Sequence, residues 1–173
     1  MNLLLLGTIV FGPMLCEAYI SRRNEARLRA RGAAEPAGDV YRAMQVTYPA
    51  AFAAMLLEGY LRGPRVDVIV AAGFSLFVGA KLLKYWAILT LGERWSFRVL
   101  VPPGSALVGA GPYRLLRHPN YVAVVGELVG AALVAHAPVA GTLAALGFGW
   151  LILRRITIEE RALGLRNDRL SRD

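Results

Sequence analysis

Arg117, His118, Pro119, Asn120 and Tyr121 form a tight polar cluster, "RHPNY", where a long apolar run begins, and Glu127 follows six residues after the tyrosine. A second cluster, "RRITIEER", closes the last apolar run with Arg154, Arg155, Glu159 and Glu160. An imidazole can move a proton, a guanidinium can hold a carboxylate, and paired carboxylates beside aromatic faces suit a cationic ligand. On a helix starting near Asn120, Glu127 lies about 9 Å beyond Tyr121. A carboxylate at that depth in apolar sequence is costly unless it is paired or faces a cavity, which makes it a functional candidate. Metal chemistry is poorly served, because His118 and His136 fall at opposite ends of one helix and Cys16 stands alone near the first.

The elements that must position these groups are those of a membrane protein. The chain has 173 residues, is 56% hydrophobic and has a mean hydropathy of +0.46, too apolar for a soluble domain of that length. Its net charge of +8 would suggest nucleic acid in a soluble protein. Here the basic residues gather between the apolar runs, where anionic headgroups and the positive-inside bias account for them, so membrane lipids rather than nucleic acid are the expected polyanionic neighbours. The lone Cys16 permits no internal disulfide. The first apolar run lacks a basic leader segment and reads as a retained helix rather than a signal peptide.

Crossing a hydrocarbon core of about 30 Å takes about 20 mostly apolar residues. Three runs fit as single spans: Asn2 to Ile20, Tyr41 to Tyr60 and Val66 to Leu91. The stretch from Tyr121 to Ile156 is too long for one span and carries His136 and Pro138 near its middle, so it folds as a helical hairpin. The expected fold is therefore all-α, a polytopic membrane protein with about five transmembrane helices, the last two a helical hairpin, and a long cytoplasmic loop region. Residues 1–173 read as a single domain, with N-terminal helices over 1–65 and a catalytic core over 66–173.

Five spans place the connection after the first helix, the long third connection and the tail on one face. These hold Arg22, Arg23, Arg27, Arg29, Arg31 and Arg42, then Arg94, Arg98, Arg114 and Arg117, then Arg154, Arg155, Arg161, Arg166, Arg169 and Arg172. The opposite face has only Arg62 and Arg65. That face is thus cytoplasmic, with both polar clusters on it, and the N-terminus lies outside. Lys81 and Lys84 read as residues snorkelling to the headgroups near Tyr85 and Trp86. Glu17 and Glu58 lie near span ends and take no assigned role, and His136 in the far turn is structural. The segment after Ile20 reads as a short surface helix followed by a turn at "PAG".

The connection from Gly92 to Asn120 is long enough to suggest function. Trp95, Phe97, Tyr113 and Tyr121 give it apolar surface to order against the helix ends. Pro102-Pro103-Gly104 reads as a turn, with "RVLV" and "SALV" on either side as a small hairpin. Pro119 suits a first helical turn, leaving His118 just outside the fourth helix. Because the last two helices form one hairpin, their cytoplasmic ends are neighbours, and the "RHPNY" and "IEE" groups can share a site.

In that order, "LGERWSFRV", "ALVGAGPYRLLRHPNYVAVVGE" and "RRITIEERAL" resemble the isoprenylcysteine carboxyl methyltransferase family of integral membrane methyltransferases, over Lys84 to Leu163. The spelling is most similar to a bacterial branch that methylates long-chain phenolic or pyrone polyketides. The resemblance implies S-adenosylmethionine as cofactor, held between the loop and the last two helices. The family's "RHPxY" falls on Arg117, His118, Pro119 and Tyr121, and its "EE" on Glu159 and Glu160. Glu159, Glu160, Tyr113 and Tyr121 suit a sulfonium bearing an ammonium group. Arg117 or Arg155 suits its carboxylate.

This chain departs from the eukaryotic members with Ala123 in place of glycine, with Glu127 at an apolar position, and with a short tail after "EERAL". A prenylcysteine carboxylate needs no base, whereas a phenol gains from one. Glu127, His118 and Arg117 are the candidate catalytic residues, and Glu127 or His118 is the candidate base for O-methylation of a lipophilic hydroxyl entering from the bilayer. Carboxyl methylation of the isoprenylcysteine type is the first alternative. NADPH-dependent sterol-type reductases also carry an "RHPNY" loop, often closely followed by "GE". Here Gly126 and Glu127 come later, and the doubled Glu favours the methyltransferase. A non-catalytic membrane scaffold would lack a cofactor site altogether.

Overall fold

The computed structural model describes residues 3–63, 66–104 and 107–164. Arg65, Ser105, Ala106 and the tail arginines Arg166, Arg169 and Arg172, which entered the topology and hairpin expectations, lie outside the described residues. Among the described residues five α-helices form: α1 (Leu3–Ala30), α2 (Tyr41–Arg62), α3 (Val68–Leu91), α4 (Pro119–Ala135) and α5 (Pro138–Ala162). Single 3-10 turns at Gly92–Arg94 and Gly111–Arg114 bound the long connection between α3 and α4.

Local chemistry accounts for the helix ends. Asp67 caps α3 by accepting from the backbone N–H groups of Ile69 and Val70 at 2.9 and 3.0 Å. Pro119 and Pro138 occupy the first turns of α4 and α5, where a missing N–H costs nothing. Between them His136 takes the left-handed conformation (φ 49°, ψ 45°) and closes α4, so the expected hairpin turns within two residues. Glu58 of α2 covers the start of α5, accepting from the N–H groups of Ala140 at 2.7 Å and Val139 at 3.2 Å.

Helices α3 and α4 meet backbone to backbone. A Cβ on Gly130 would stand 2.7 Å from the Phe77 nitrogen and 2.8 Å from the Gly73 oxygen, so only glycine permits this approach. Around the pair, Val10, Phe52, Met55, Phe77, Leu128, Phe148, Leu151 and Ile152 build the buried core. Tyr48 sets its ring edge-on to Phe52 at 5.0 Å and tilts against Phe148 at 5.1 Å. The outward faces remain apolar, with Leu82, Leu89, Leu143, Leu146 and Leu153 exposed.

Three sequence expectations change. Among the described residues two helical stretches, Val68–Arg94 and Pro138–Ala162, are long and apolar enough to cross a membrane, rather than five. Helix α4 is apolar but has only 17 residues, and α2 carries Gln45, Thr47 and Glu58 among its apolar positions. Helix α1 runs unbroken to Ala30 instead of ending in a separate surface helix, because no glycine or proline interrupts the chain between Pro13 and Gly32, and Gly32 lies past the helix end. Of the hairpin expected around Pro102-Pro103-Gly104, Ser105 and Ala106 lie outside the described residues, and among the described ones "RVLV" makes no bridge to its neighbouring segment. Val101 instead pairs antiparallel with Ala34, their backbone bonds measuring 3.2 and 3.3 Å.

That bridge belongs to a larger attachment of the loop to the extension of α1. Asn24 donates to the carbonyls of Gly92 and Trp95 at 3.1 and 2.8 Å, and the Ser21 hydroxyl accepts from the Phe97 N–H at 2.8 Å. Arg27 and Arg31 both reach Glu93 at 2.6 Å, and Arg98 reaches Glu35 at 2.6 Å. A segment with little regular structure is thus ordered by side chains that satisfy its backbone groups.

Candidate active site

The end of α5 meets the start of α4, and the two polar clusters converge. The Tyr121 hydroxyl donates to Glu159 Oε2 at 2.7 Å and accepts from Arg155 Nε at 3.0 Å. Its ring stacks on the imidazole of His118, with centroids 5.5 Å apart. His118 sits at the N-terminal boundary of α4, its Nδ1 3.7 Å from Glu159 Oε2 and its Nε2 3.6 Å from Glu160 Oε1. Both separations exceed hydrogen-bond length. Arg117, largely exposed, brings Nη1 to 3.8 Å from the same Glu160 oxygen. Pro119 is buried beneath the group. Tyr113, half-buried on the second 3-10 turn, has its phenol held well above the ordinary tyrosine value, first by burial and then by the Glu159 carboxylate.

Two buried polar atoms here have no hydrogen-bond partner, His118 Nε2 and Asn120 Oδ1. Such atoms are rare in a folded interior and mark places where a polar partner fits. Tyr113, Arg117, His118, Pro119, Tyr121, Glu159 and Glu160 therefore gather in one polar cluster where α4 begins and α5 ends. Arg155, expected as an alternative partner for a cofactor carboxylate, turns inward. It is 5% exposed and engages Asp39 at 3.3 Å, the Phe97 carbonyl and Tyr121.

Glu127 does not join them. Six residues along a helix rotate by about 240° at 3.6 residues per turn, so Tyr121 faces α5 while Glu127 faces the other helices. Its side chain is 0% exposed, accepts from the Tyr48 hydroxyl, and lies 3.1 Å from the Lys81 ammonium and 3.4 Å from that of Lys84. The same two lysines hold Glu17 of α1, Lys81 at 3.0 Å and Lys84 at 2.7 Å. Lys81 and Lys84 therefore do not snorkel, and Glu17 is not an idle residue at a span end. Lys81 stands ten residues before the end of α3, about 15 Å down the helix axis, where a buried carboxylate is nearer than the headgroups. Two cations and two anions form a closed, electrically balanced quartet joining α1, α3 and α4, with Tyr48 of α2 at its edge.

Sequence reasoning missed the quartet and Asp39. The only sequence signal for the quartet was the recurrence of ionisable residues inside apolar runs, at Glu17, Lys81, Lys84 and Glu127, in equal numbers of each sign.

Comparisons with known proteins identify relatives and a family. The chain is 28% identical to the uncharacterized protein YpbQ of Bacillus subtilis over 159 residues, covering 92% of this chain and 95% of that protein. An uncharacterized protein of Haemophilus influenzae is 23% identical over 145 residues, covering 83% of this chain and 84% of its own length. No solved structure gives a significant match. The profile of the isoprenylcysteine carboxyl methyltransferase (ICMT) family matches residues 71–164, which run from α3 through the loop to the doubled glutamate. With more than half of its length matched, and with both polar clusters inside the match, the chain belongs to the isoprenylcysteine carboxyl methyltransferase family, whose members are membrane-embedded methyltransferases.

Proposed function

We propose that this protein uses S-adenosylmethionine to methylate a lipophilic acceptor, the hydroxyl of a long-chain phenol or pyrone, at the mouth formed by α4, α5 and the connecting loop. The observation that carries this reading is the pair of unpartnered buried atoms, His118 Nε2 and Asn120 Oδ1, beside two carboxylates and two tyrosines. The carboxylates and tyrosines of that set fit the cofactor's polar end, and His118 Nε2 is left to the acceptor. Glu159 and Glu160 suit the ammonium group, Arg117 suits the carboxylate, and the faces of Tyr113 and Tyr121 suit the sulfonium. When bound, the cofactor supplies an electrophilic methyl group on a positively charged sulfur.

The chain's own residues have three tasks. Arg155 and Tyr121 hold Glu159 in place from behind. Positioning of the acceptor against the cofactor supplies most of the rate. His118 Nε2 takes the acceptor's proton as its oxygen attacks. The sequestered Glu127 carboxylate, already shared by Tyr48 and two lysines, leaves His118 as the base. In this reading α3 and α5 cross the bacterial cytoplasmic membrane, with the site facing the cytoplasm where the arginines cluster.

The same sequestration favours a second acceptor class. Glu127 was the residue that argued for a substrate needing a base, and its enclosure makes a carboxylate of the isoprenylcysteine type equally compatible with the site. Calorimetry with S-adenosylhomocysteine tests the shared part of the proposal. Micromolar binding to wild type that is lost in Glu159→Ala or Glu160→Ala is expected. A folded wild type that ignores the ligand but is stabilised by NADPH would turn the assignment to a reductase.

A further inference from the structure

Asp39 lies in the turn between α1 and α2, outside both polar clusters and outside the family match, yet its side chain is only 4% exposed. One oxygen, Oδ1, accepts from the Tyr41 N–H at 3.2 Å and lies 3.3 Å from Arg155 Nη1. The other, Oδ2, accepts from the Val99 N–H of the loop at 3.4 Å. Arg155 spreads its guanidinium over three further groups: the Phe97 carbonyl, the Met44 sulfur at 3.7 Å and the Tyr121 hydroxyl at 3.0 Å. Tyr121 passes its own proton toward Glu159. A continuous chain of polar contacts therefore runs from Asp39 through Arg155 and Tyr121 to Glu159.

The direction of each hydrogen bond along this chain is determined by chemistry. Arginine only donates, so Tyr121 must accept from it and has its single proton left for Glu159. A guanidinium buried to this degree needs a carboxylate, and the ion pair with Asp39 supplies one from the side away from the mouth. If Asp39 lost its charge, the nearest carboxylate along the chain would be Glu159, and the guanidinium would be drawn past Tyr121 toward it. That movement would break the relay and change how Glu159 is presented.

We infer that Asp39 is a positioning residue for the cofactor site, holding Arg155 so that the Tyr121 hydroxyl aims at Glu159. The inference extends the methyltransferase reading, on which its link to cofactor affinity rests, and assigns the α1–α2 turn a share in the site.

The test combines a readout that needs no cofactor with one that does. Protein carrying 13Cζ-tyrosine in detergent gives a Tyr121 resonance identified by its absence in Tyr121→Phe. Asp39→Asn is expected to shift that resonance, Asp39→Glu to restore it, and Asp67→Asn at the opposite end of the molecule to leave it alone. Calorimetry with S-adenosylhomocysteine is expected to show about tenfold weaker binding in Asp39→Asn, the scale of one charge-assisted hydrogen bond, with partial recovery in Asp39→Glu. A folded Asp39→Asn with the wild-type resonance and wild-type affinity overturns the inference. Should Asp39→Asn fail to fold, Arg155→Lys is measured in its place. Lysine keeps the charge facing Asp39 but lacks the fork that reaches Tyr121 and Phe97 together, so the same shift is expected and its absence overturns the inference. Wild type that does not bind S-adenosylhomocysteine defeats the methyltransferase reading, and the tyrosine resonance still decides the role of Asp39.

Discussion

Lys84 brings its ammonium within 2.7 Å of Glu17 Oε2, and the two side chains are 3% and 1% exposed. The contact joins α1 to α3 across 67 residues of sequence, inside apolar surroundings where an unpaired charge is costly. Removing one partner strands the other. Lys84→Met or Glu17→Gln alone is expected to destabilise by about 3–5 kcal/mol. The double variant leaves Lys81 facing Glu127, a balanced pair, and is expected to be more stable than either single variant. Thermal unfolding in detergent measures all three, and single variants that melt with wild type would show that the quartet is not a closed ionic unit.

Close approach of α3 and α4 gives a second prediction. Gly130→Ala would drive a methyl group to 2.7 Å from the Phe77 nitrogen, against backbone that cannot yield. Overpacking of this kind costs about 1–3 kcal/mol. A Cβ on Gly79 of α3 would meet nothing within 4 Å, and Gly79→Ala is expected to be neutral or slightly stabilising. Equal melting temperatures for the two variants would contradict this packing of α3 on α4.

His118 separates the two acceptor classes. For a phenolic or pyrone hydroxyl, His118→Asn is expected to lower turnover by about 10²–10⁴-fold, the usual weight of a general base. For a carboxylate acceptor the loss is expected to be confined to binding. The comparison is a steady-state measurement of kcat and KM on a long-chain phenol and on a prenylated cysteine.

Glu35 carries a prediction in pH. Burial tends to raise its pKa, but the hydrogen bonds and charges of Arg29 and Arg98 outweigh that and hold it below the ordinary 4.5. A carboxylate depressed by folding contributes stability that is fully present above 4.5 and is lost as pH falls through its lower folded value. Melting temperature is therefore expected to fall below that pH in wild type. The part due to this group disappears in Glu35→Gln, so the variant has the flatter profile. Parallel profiles would show that Glu35 contributes nothing to the acid sensitivity.

Much of this architecture was legible because it depends on local chemistry. Pro119 and Pro138 mark helix starts by their missing N–H, and His136 falls where a two-residue turn is needed. The meeting of "RHPNY" with Glu159 and Glu160 follows from the hairpin alone. Contacts that depend on helix rotation were not legible. The six-residue spacing turns Glu127 away from Tyr121, but nothing in the spelling says that it faces Lys81, because that depends on how α1, α3 and α4 turn toward each other. Lys81 and Lys84 misled because a local explanation, reaching for headgroups, was at hand. The continuous α1 was hidden by a change from apolar to arginine-rich composition, which alters the surroundings of a helix without ending it. Asp39 drew no reading in the sequence, and only the fold brings Arg155 to it.

The order of the charged residues along the chain bears on biogenesis. Synthesis delivers Glu17 first, then Lys81 and Lys84 together on α3, and Glu127 last. A lysine at the centre of an inserting helix costs about 2.5–3.5 kcal/mol on translocon scales. When α3 emerges, Glu17 is the one member of the quartet already available to offset two positive charges. The first compensating charge for α3 therefore comes from α1, and full neutralisation requires α4. A ribosome stalled between α3 and α4 would hold a half-neutralised intermediate dependent on α1, in which Glu17→Gln would turn α3 from an inserted helix into one that slips back to the surface.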